Sequence, residues 1–456
     1  MENSKENKMG RAPMLGLILS MSLPAMFSML IQALYNIVDS YFVAQVSEDA
    51  LTAVSLAFPM QMLLIAVAVG TSIGVNSLVS RRLGEKNTPA ANDAATHGLL
   101  LSILSWAVFA IIGATCTKIF FAAFTKDANI SAMGISYTSI VLIFSMGSFI
   151  EISIEKTLQA TGDMIHPMIF QLMGAIINII LDPIMIFGLF GFPKLGIAGA
   201  AIATVTGQII AMFYSIYVLF GKKHAVNVTF KNFKIKKNII KEIYAVGLPS
   251  IIMQSISSVS TTVMNSILIA FSQSAVSVLG VYFKLQSFVF MPVFGLTHGV
   301  MPIMGYNYGA RNKKRLMSAL KIGSVIAACI MAVGVLLFQI LPDKLLLIFN
   351  ASENMLKIGA PALRIISLCF LPAALGIMFS SLFQAIGRGI YSLIISVLRQ
   401  LVFLVPAAYV LSKIAGLSFV WAAFPFSEFF SLAASIFMLI SVYGKNIKNL
   451  DAAVRE

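Results

Sequence analysis

The sequence predicts an all-α integral membrane protein with twelve transmembrane helices, arranged as two parallel-repeat six-helix bundles. Four observations carry that prediction. Of the 456 residues, 59% are apolar and only 11% charged, with a mean hydropathy of +0.91, far from the balance of a water-soluble globule. Apolar runs of roughly 20 residues, enough to cross a ~30 Å hydrocarbon layer, recur along the whole chain. No series of short alternating strands, the signature of a membrane barrel, is present. Finally, the first half of the chain maps onto the second at a constant offset.

The apolar runs fall near 14–43, 52–80, 95–120, 132–158, 166–190, 196–220, 240–270, 276–306, 316–341, 358–386, 390–412 and 417–443. The polar opening "MENSKENKMGRAP" leads into a run that is too long for a secretory h-region and lacks a small-residue cleavage site, so it reads as a retained first span. Cys116, Cys329 and Cys369 lie in or beside apolar segments without metal-ligand or disulfide spacing and read as packing residues. The net charge of +14 is concentrated in short linkers such as "SRRLGEKN", "GKKHAVNVTFKNFKIKKNIIKE" and "GARNKKR". That placement is a topology signal rather than a nucleic-acid surface. It predicts a multi-pass protein of the cell membrane with both termini cytoplasmic and no nucleic-acid partner.

The offset is 225 positions. It pairs Pro24 with Pro249, Gln61 with Gln286, Gly70 with Gly295, Gly74 with Gly299, Gly84 with Gly309, Asn87 with Asn312, Gln159 with Gln384 and Gly162 with Gly387. Further on, the frame drifts by about five, so that "GIAGAAIATVTGQ" aligns with "GLSFVWAAFPFSE". Each half holds an even number of spans, so both enter the membrane from the same side and the repeat is parallel. The expected organisation is a tail at 1–13, a bundle at 14–220, a basic linker at 221–239, a second bundle at 240–443 and a tail at 444–456. Matched bundles facing a central cleft suit alternating access. The bland alternative is a larger inert bundle.

Ionisable groups at bilayer depth cost about 2.5–3.5 kcal/mol each on insertion scales, so each needs a partner, water or a role. In the first half, Asp39 lies near the outer end of span 1, while Asp182 and Thr204 sit at similar depth in spans 5 and 6. Asn36 and Asn178 share helix faces with the two acids by spacing. Two carboxylates among amide and hydroxyl oxygens suit a proton or sodium ion, because like charges in a dry site cannot both stay ionised without a cation. Hydrogen bonding within a packed polar patch is the alternative. Pro183, in "INIILDPIMIF", Pro24 and Pro249 each remove a backbone hydrogen bond and permit kinks.

Glu151 and Glu155 lie one turn apart in "FIEISIEKTLQATGD", together with Gln159, and read either as a substrate-attracting face or as a solvated one, since Glu155 adjoins Lys156. In the second half, Lys284, Arg399 and Glu428 are intramembrane, with Glu428 the expected partner of Lys284 or Arg399. Methionine (25) and phenylalanine (34) are abundant, which suits flat lipophilic cations. His298 reads as a core residue. No GxxxxGK[ST], HExxH, GxSxG or CxxC pattern occurs, so the chain reads as no enzyme, and its energy source as an ion gradient.

Taken together, "SLPAMFSMLIQALYNIVDSYFVA", "RRLGEKN", "LQATGDMIHPM", "NIILDPIMIFGLFGFPKLGIAGAAIAT", "GLPSIIMQS", "MPIMGYNYGARN", "FQAIGRG" and "VWAAFPFSE" resemble the multidrug and toxic compound extrusion (MATE) transporters, in particular the MepA-like bacterial branch. The resemblance spans the whole chain. It implies a V-shaped molecule of two six-helix lobes that exports small organic cations in exchange for protons or sodium; a monomer is the expected functional unit. Its cation site would match Asp39, Asn178, Asp182 and Thr204, and its drug-export acids Glu155 and Asp182. The sequence departs from that pattern at Gln159, where many members carry arginine, and in spans 7 and 10, where Gln254 and "FSSLFQAIG" replace the acids of the NorM-like branch. The remaining alternative on the same fold is a flippase or exporter of a lipid-linked or metabolite substrate.

Overall fold

The computed structural model describes residues 7–231, 233–349 and 351–451. Among the described residues, ten helices are each long and apolar enough to cross a membrane, and two bent pairs raise the number to as many as twelve. They run α1 (Met14–Ala44), α2 (Glu48–Gly84), α3 (Thr88–Thr115), α4 (Ala128–Ile143), α5 (Met146–Thr161), α6 (Ile165–Phe187), α7 (Ile197–Gly221), α8 (Lys237–Ile269), α9 (Gln273–Gly309), α10 (Lys313–Ile340), α11 (Glu353–Ser367), α12 (Phe370–Ala385), α13 (Gly389–Ile414) and α14 (Leu417–Ile447). The bent pairs are α4 with α5, at 43°, and α11 with α12, at 47°. The expected fourth and tenth spans are therefore both broken, at equivalent places in the two halves.

The repeated residues are mostly helix punctuation. Ser47 and Ser272, also 225 positions apart, cap α2 and α9 by accepting from Ala50 N–H and Ala275 N–H. Asn87 and Asn312 cap α3 and α10 in the same way through Ala90 and Arg315. Such side chains satisfy backbone donors that the first helical turn leaves open. Gly162 and Gly387 stop their helices at φ 95° and 80°, a left-handed conformation that a Cβ disfavours. Just before Asn87 and Asn312, Lys86 and Arg311 take φ 58° and 54°.

Paired glycines set the closest helix contacts. A Cβ on Gly74 of α2 would lie 2.2 Å from the Ile243 carbonyl oxygen of α8, and one on Gly70 would lie 2.5 Å from an Ile251 side-chain carbon. A Cβ on Gly299 of α9 would meet Ser22 Oγ of α1 at 2.4 Å, and one on Gly295 would meet Met26 Cα at 2.5 Å. These are small-xxx-small ridges, where missing side chains let backbones touch.

The compact units follow those ridges. One unit is Phe27–Ile251; the other joins the chain up to Met26 with the chain from Ile252 onward. The boundaries, two residues after Pro24 and two after Pro249, are themselves 225 positions apart. The units therefore do not share the boundaries of the sequence halves: the opening of α8 packs with the first-half helices, and the opening of α1 with the second-half helices. Polar contacts reinforce this. Within the first unit, Arg82 binds Glu242 at 2.8 Å. Within the second, Asn307 and Arg315 donate to the Met9 carbonyl, each at 3.1 Å, and Arg315 also donates to that of Ala12 at 2.8 Å. The helices run unbroken through Pro24, Pro183 and Pro249.

Candidate functional site

The acids predicted in spans 1 and 5 converge in the Phe27–Ile251 unit. Helices α6 and α7 press together there because α7 carries glycines at the contact. A Cβ on Gly199 would lie 2.4 Å from the Met185 carbonyl oxygen, and one on Gly207 would lie 2.7 Å from that of Gly174. This approach lets Asn178 reach across, its amide donating to Thr204 Oγ1 at 3.1 Å and to Asp182 Oδ1 at 3.3 Å. Asn178 and Asp182 are 2% and 0% exposed. The carboxyl of Asp39, on α1, is a hydrogen-bonding neighbour of Asp182.

Two tyrosines and a glutamine complete the cluster. The Tyr35 hydroxyl is hydrogen-bonded to the Thr204 side chain. The Tyr137 hydroxyl of α4 accepts from Gln61 Nε2 of α2 at 2.9 Å, and both Asp39 and Asp182 act on it electrostatically. Sequence reasoning missed all three as site residues. A tyrosine in an apolar helix carries no pattern; the only available signal was Gln61, a polar residue repeated at Gln286. Asn36 is exposed on α1.

Donors and acceptors do not balance. Asp39 Oδ1, Asn178 Oδ1 and Asp182 Oδ2 are buried with no hydrogen-bond donor. Unpaired buried oxygens cost about 1–3 kcal/mol each, and more when charged. Nor can two carboxylates hydrogen-bond each other unless one of them carries a proton, and without one only a bound cation offsets their repulsion. The cluster is thus short of positive charge at the place where its oxygens meet. Among the described residues, no three His, Cys, Asp or Glu side chains converge as a metal site.

The other predicted residues separate by unit. Glu151, Glu155 and Gln159 are buried on α5 of the first unit, with Lys156 buried beside them, so the solvated face that Lys156 implied is not formed. In the second unit, Gln254 is half-buried on α8. Arg399 sits on a widened π turn, Leu398–Leu404, and its Nη1 binds Glu428 Oε1 at 3.3 Å. That contact settles the partner of Glu428 in favour of Arg399. The Lys284 side chain is exposed and lies 5.8 Å from the ring centroid of Phe349. Cys116 and Cys329 are free and exposed, and Cys369 is free and buried.

Comparison with known proteins agrees with the duplicated design. The MatE family model matches twice, over residues 24–184 and 249–410, two stretches whose starts are again 225 positions apart. The chain is 26% identical over 427 residues to the FAD transporter of Shewanella oneidensis, covering 91% of this chain and 92% of that one. It is 24% identical over 436 residues to the multidrug export protein MepA of Staphylococcus aureus (strain bovine RF122 / ET3-1), covering 94% of each. Among solved structures, an outward-facing multidrug resistance MATE family transporter of the MOP superfamily superimposes with a TM-score of 0.92 at 27% identity, over 98% of this chain and all of that one. A MOP superfamily transporter from Pyrococcus furiosus, described as having a binding pocket of reverse polarity, gives 0.91 at 27% identity, with the same coverage. A twelve-span helical fold, a family match over most of the chain and full-length structural likeness lead to one conclusion: this chain belongs to the MatE family of membrane transporters, the multidrug and toxic compound extrusion proteins, and is not an enzyme.

Proposed function

We propose that this transporter is a secondary-active efflux antiporter that exports small organic cations in exchange for protons or sodium ions. The observation that carries this reading is the surplus of buried acceptor oxygens on Asp39, Asn178 and Asp182. Carboxylate, amide and hydroxyl oxygens are hard ligands suited to Na⁺, and carboxylates are equally suited to a proton. Asp39, Asn178, Asp182 and Thr204 would hold the ion, which would supply the positive charge the paired acids lack. With the ion present, Asp39 and Asp182 approach each other; without it they repel. The helices bearing them, α1 and α6, contain Pro24 and Pro183 and so have weakened backbone ladders that can yield to that repulsion. A two-state bundle biased by ion binding is the minimum needed for alternating access.

The basic loops support cytoplasmic termini by the positive-inside rule, and in this reading the protein works as a monomer in the cell membrane. The abundant methionines and phenylalanines supply polarisable, aromatic surface for flat cations.

A second reading, export of an anionic metabolite, has two specific supports. The relative from Shewanella oneidensis is named as a transporter of FAD, a dinucleotide. On α9, Lys284 has no carboxylate within ion-pair distance among the described residues, and an exposed ammonium along a membrane helix is suited to an anion.

The test is efflux of ethidium and of FAD from proteoliposomes under separate proton and sodium gradients. Ethidium efflux that follows one gradient and disappears in Asp182→Asn identifies an antiporter and names its ion. Export of FAD without ethidium movement selects the second reading.

A further inference from the structure

A second polar cluster lies inside the Phe27–Ile251 unit, on α5, and the cation site does not use it. Its members are deeply buried: Glu151 is 9% exposed, Glu155 2%, Lys156 4% and Gln159 3%. Lys156 Nζ donates to Glu155 Oε1 at 3.0 Å and to Gln159 Oε1 at 3.1 Å. Gln159 Nε2 also donates to Glu155 Oε1, at 2.7 Å, while Gln171 Nε2 of α6 donates to Glu155 Oε2 at 3.0 Å. Asn76 of α2 closes the edge by donating to the Lys156 carbonyl at 2.9 Å. Both oxygens of Glu155 are therefore served, and its charge is matched by Lys156.

Glu151 keeps one oxygen unserved. It stands one turn before Glu155, and the charged groups acting on it are Glu155 and Lys156 of its own helix; among the described residues, the neighbouring α2 and α6 contribute the uncharged Asn76 and Gln171 to the cluster. Its Oε1 has no donor, and neither do Gln171 Oε1 and Asn76 Oδ1. With every group ionised, two carboxylates and one ammonium leave one uncompensated negative charge in a buried place, at a cost of several kcal/mol. The deficit is one proton.

We propose that Glu151 binds one exchangeable proton, making the Glu151–Glu155–Lys156 cluster a proton-specific station separate from the Asp39–Asp182 site. Binding forms one O–H bond on the Glu151 carboxylate with a proton taken from water, which neutralises the cluster and adds the donor it lacks. A metal cation is disfavoured here because the Lys156 ammonium already occupies the cation position beside Glu155. Sodium could thus drive the outer site while protons alone load this one. The role of this station in transport rests on the antiporter reading; the proton binding itself does not.

The test is infrared difference spectroscopy of the lipid-reconstituted full-length protein between alkaline and acid pH, following the C=O stretch of protonated carboxyl groups. In the wild type we expect a carboxylic-acid band that Glu151→Gln removes and Glu151→Asp shifts, with one proton fewer taken up per Glu151→Gln transporter. The band should persist in Asp182→Asn and in the presence of saturating sodium. A Glu151→Gln spectrum identical to wild type overturns the proposal, as does loss of the band on adding sodium. Glu151→Asp keeps the test decisive if the glutamine variant fails to insert. Efflux in the same vesicles separates the two ideas: wild-type efflux that follows neither a proton nor a sodium gradient overturns the antiporter reading and leaves the Glu151 band untouched.

Discussion

The two units share a scaffold and differ in charge. Helix caps at Ser47 and Ser272, stops at Gly162 and Gly387, glycine ridges at Gly70/Gly74 and Gly295/Gly299, and a broken fourth and tenth span all recur in both. The acids do not recur. Asp39 corresponds to Met264, which is buried; the triplet Glu151, Glu155 and Lys156 corresponds to Gly376, Ser380 and Ser381; and, with the drifted frame, Thr204 corresponds to Phe424. What was copied is what the backbone needs in order to fold. The acids Asp39, Glu151 and Glu155 have no counterpart at the matching positions of the second copy, which carries Lys284, Arg399 and Glu428 elsewhere.

That comparison can be broken by experiment. The largest expected effect is on Asp182→Asn, which should lower gradient-driven efflux about tenfold or more with normal membrane insertion, whereas Ala407→Asn, on the corresponding helix α13 of the second unit, should not change coupling. Next comes the attempt to restore the symmetry. Met264→Asp buries a carboxylate among second-unit residues with no partner of the Asp182 kind, and should cost about 2.5–3.5 kcal/mol, read as a fall in thermal stability without gain of coupling.

Overpacking tests the shared part. Gly74→Ala and Gly299→Ala should each destabilise by about 1–3 kcal/mol, and by similar amounts, since both ridges meet backbone or near-backbone atoms below 3.0 Å. Gly16→Ala, with nothing within 4 Å, is the neutral control in the same melting assay. The smallest effect concerns the Arg399–Glu428 pair. Its arginine is 31% exposed and its contact is a single 3.3 Å bond, so Glu428→Gln should cost about 1 kcal/mol, near the upper end for partly exposed pairs, and leave ion coupling unchanged.

The sequence revealed different layers of this molecule unequally. Span positions, the duplication and the convergence of Asp39, Asn178, Asp182 and Thr204 were all readable, because hydrophobic length and depth along a helix are local quantities. The Tyr35, Tyr137 and Gln61 contacts were not, since they depend on which faces of α1, α2 and α4 meet. The burial of Lys156 was not readable for a related reason. Adjacent helical residues point apart, yet the long lysine stem folds back to reach Glu155, one position away. The glycine pairs announced close approach without naming the neighbour, so the division of α1 and α8 between the compact units could not be foreseen.

That division has a consequence for biogenesis. The residues leading to Met26 leave the ribosome first, yet the unit they belong to contains the last spans of the chain. Their neighbours at Gly295 and Gly299 do not exist until more than half of the protein has been made. The Phe27–Ile251 unit, by contrast, is complete once α8 has begun to emerge. Domains of a growing chain generally fold as units in the order they are synthesised. Here the first-made segment must wait in the membrane as an unpartnered helix end, and a truncation after α7 would leave both units unfinished.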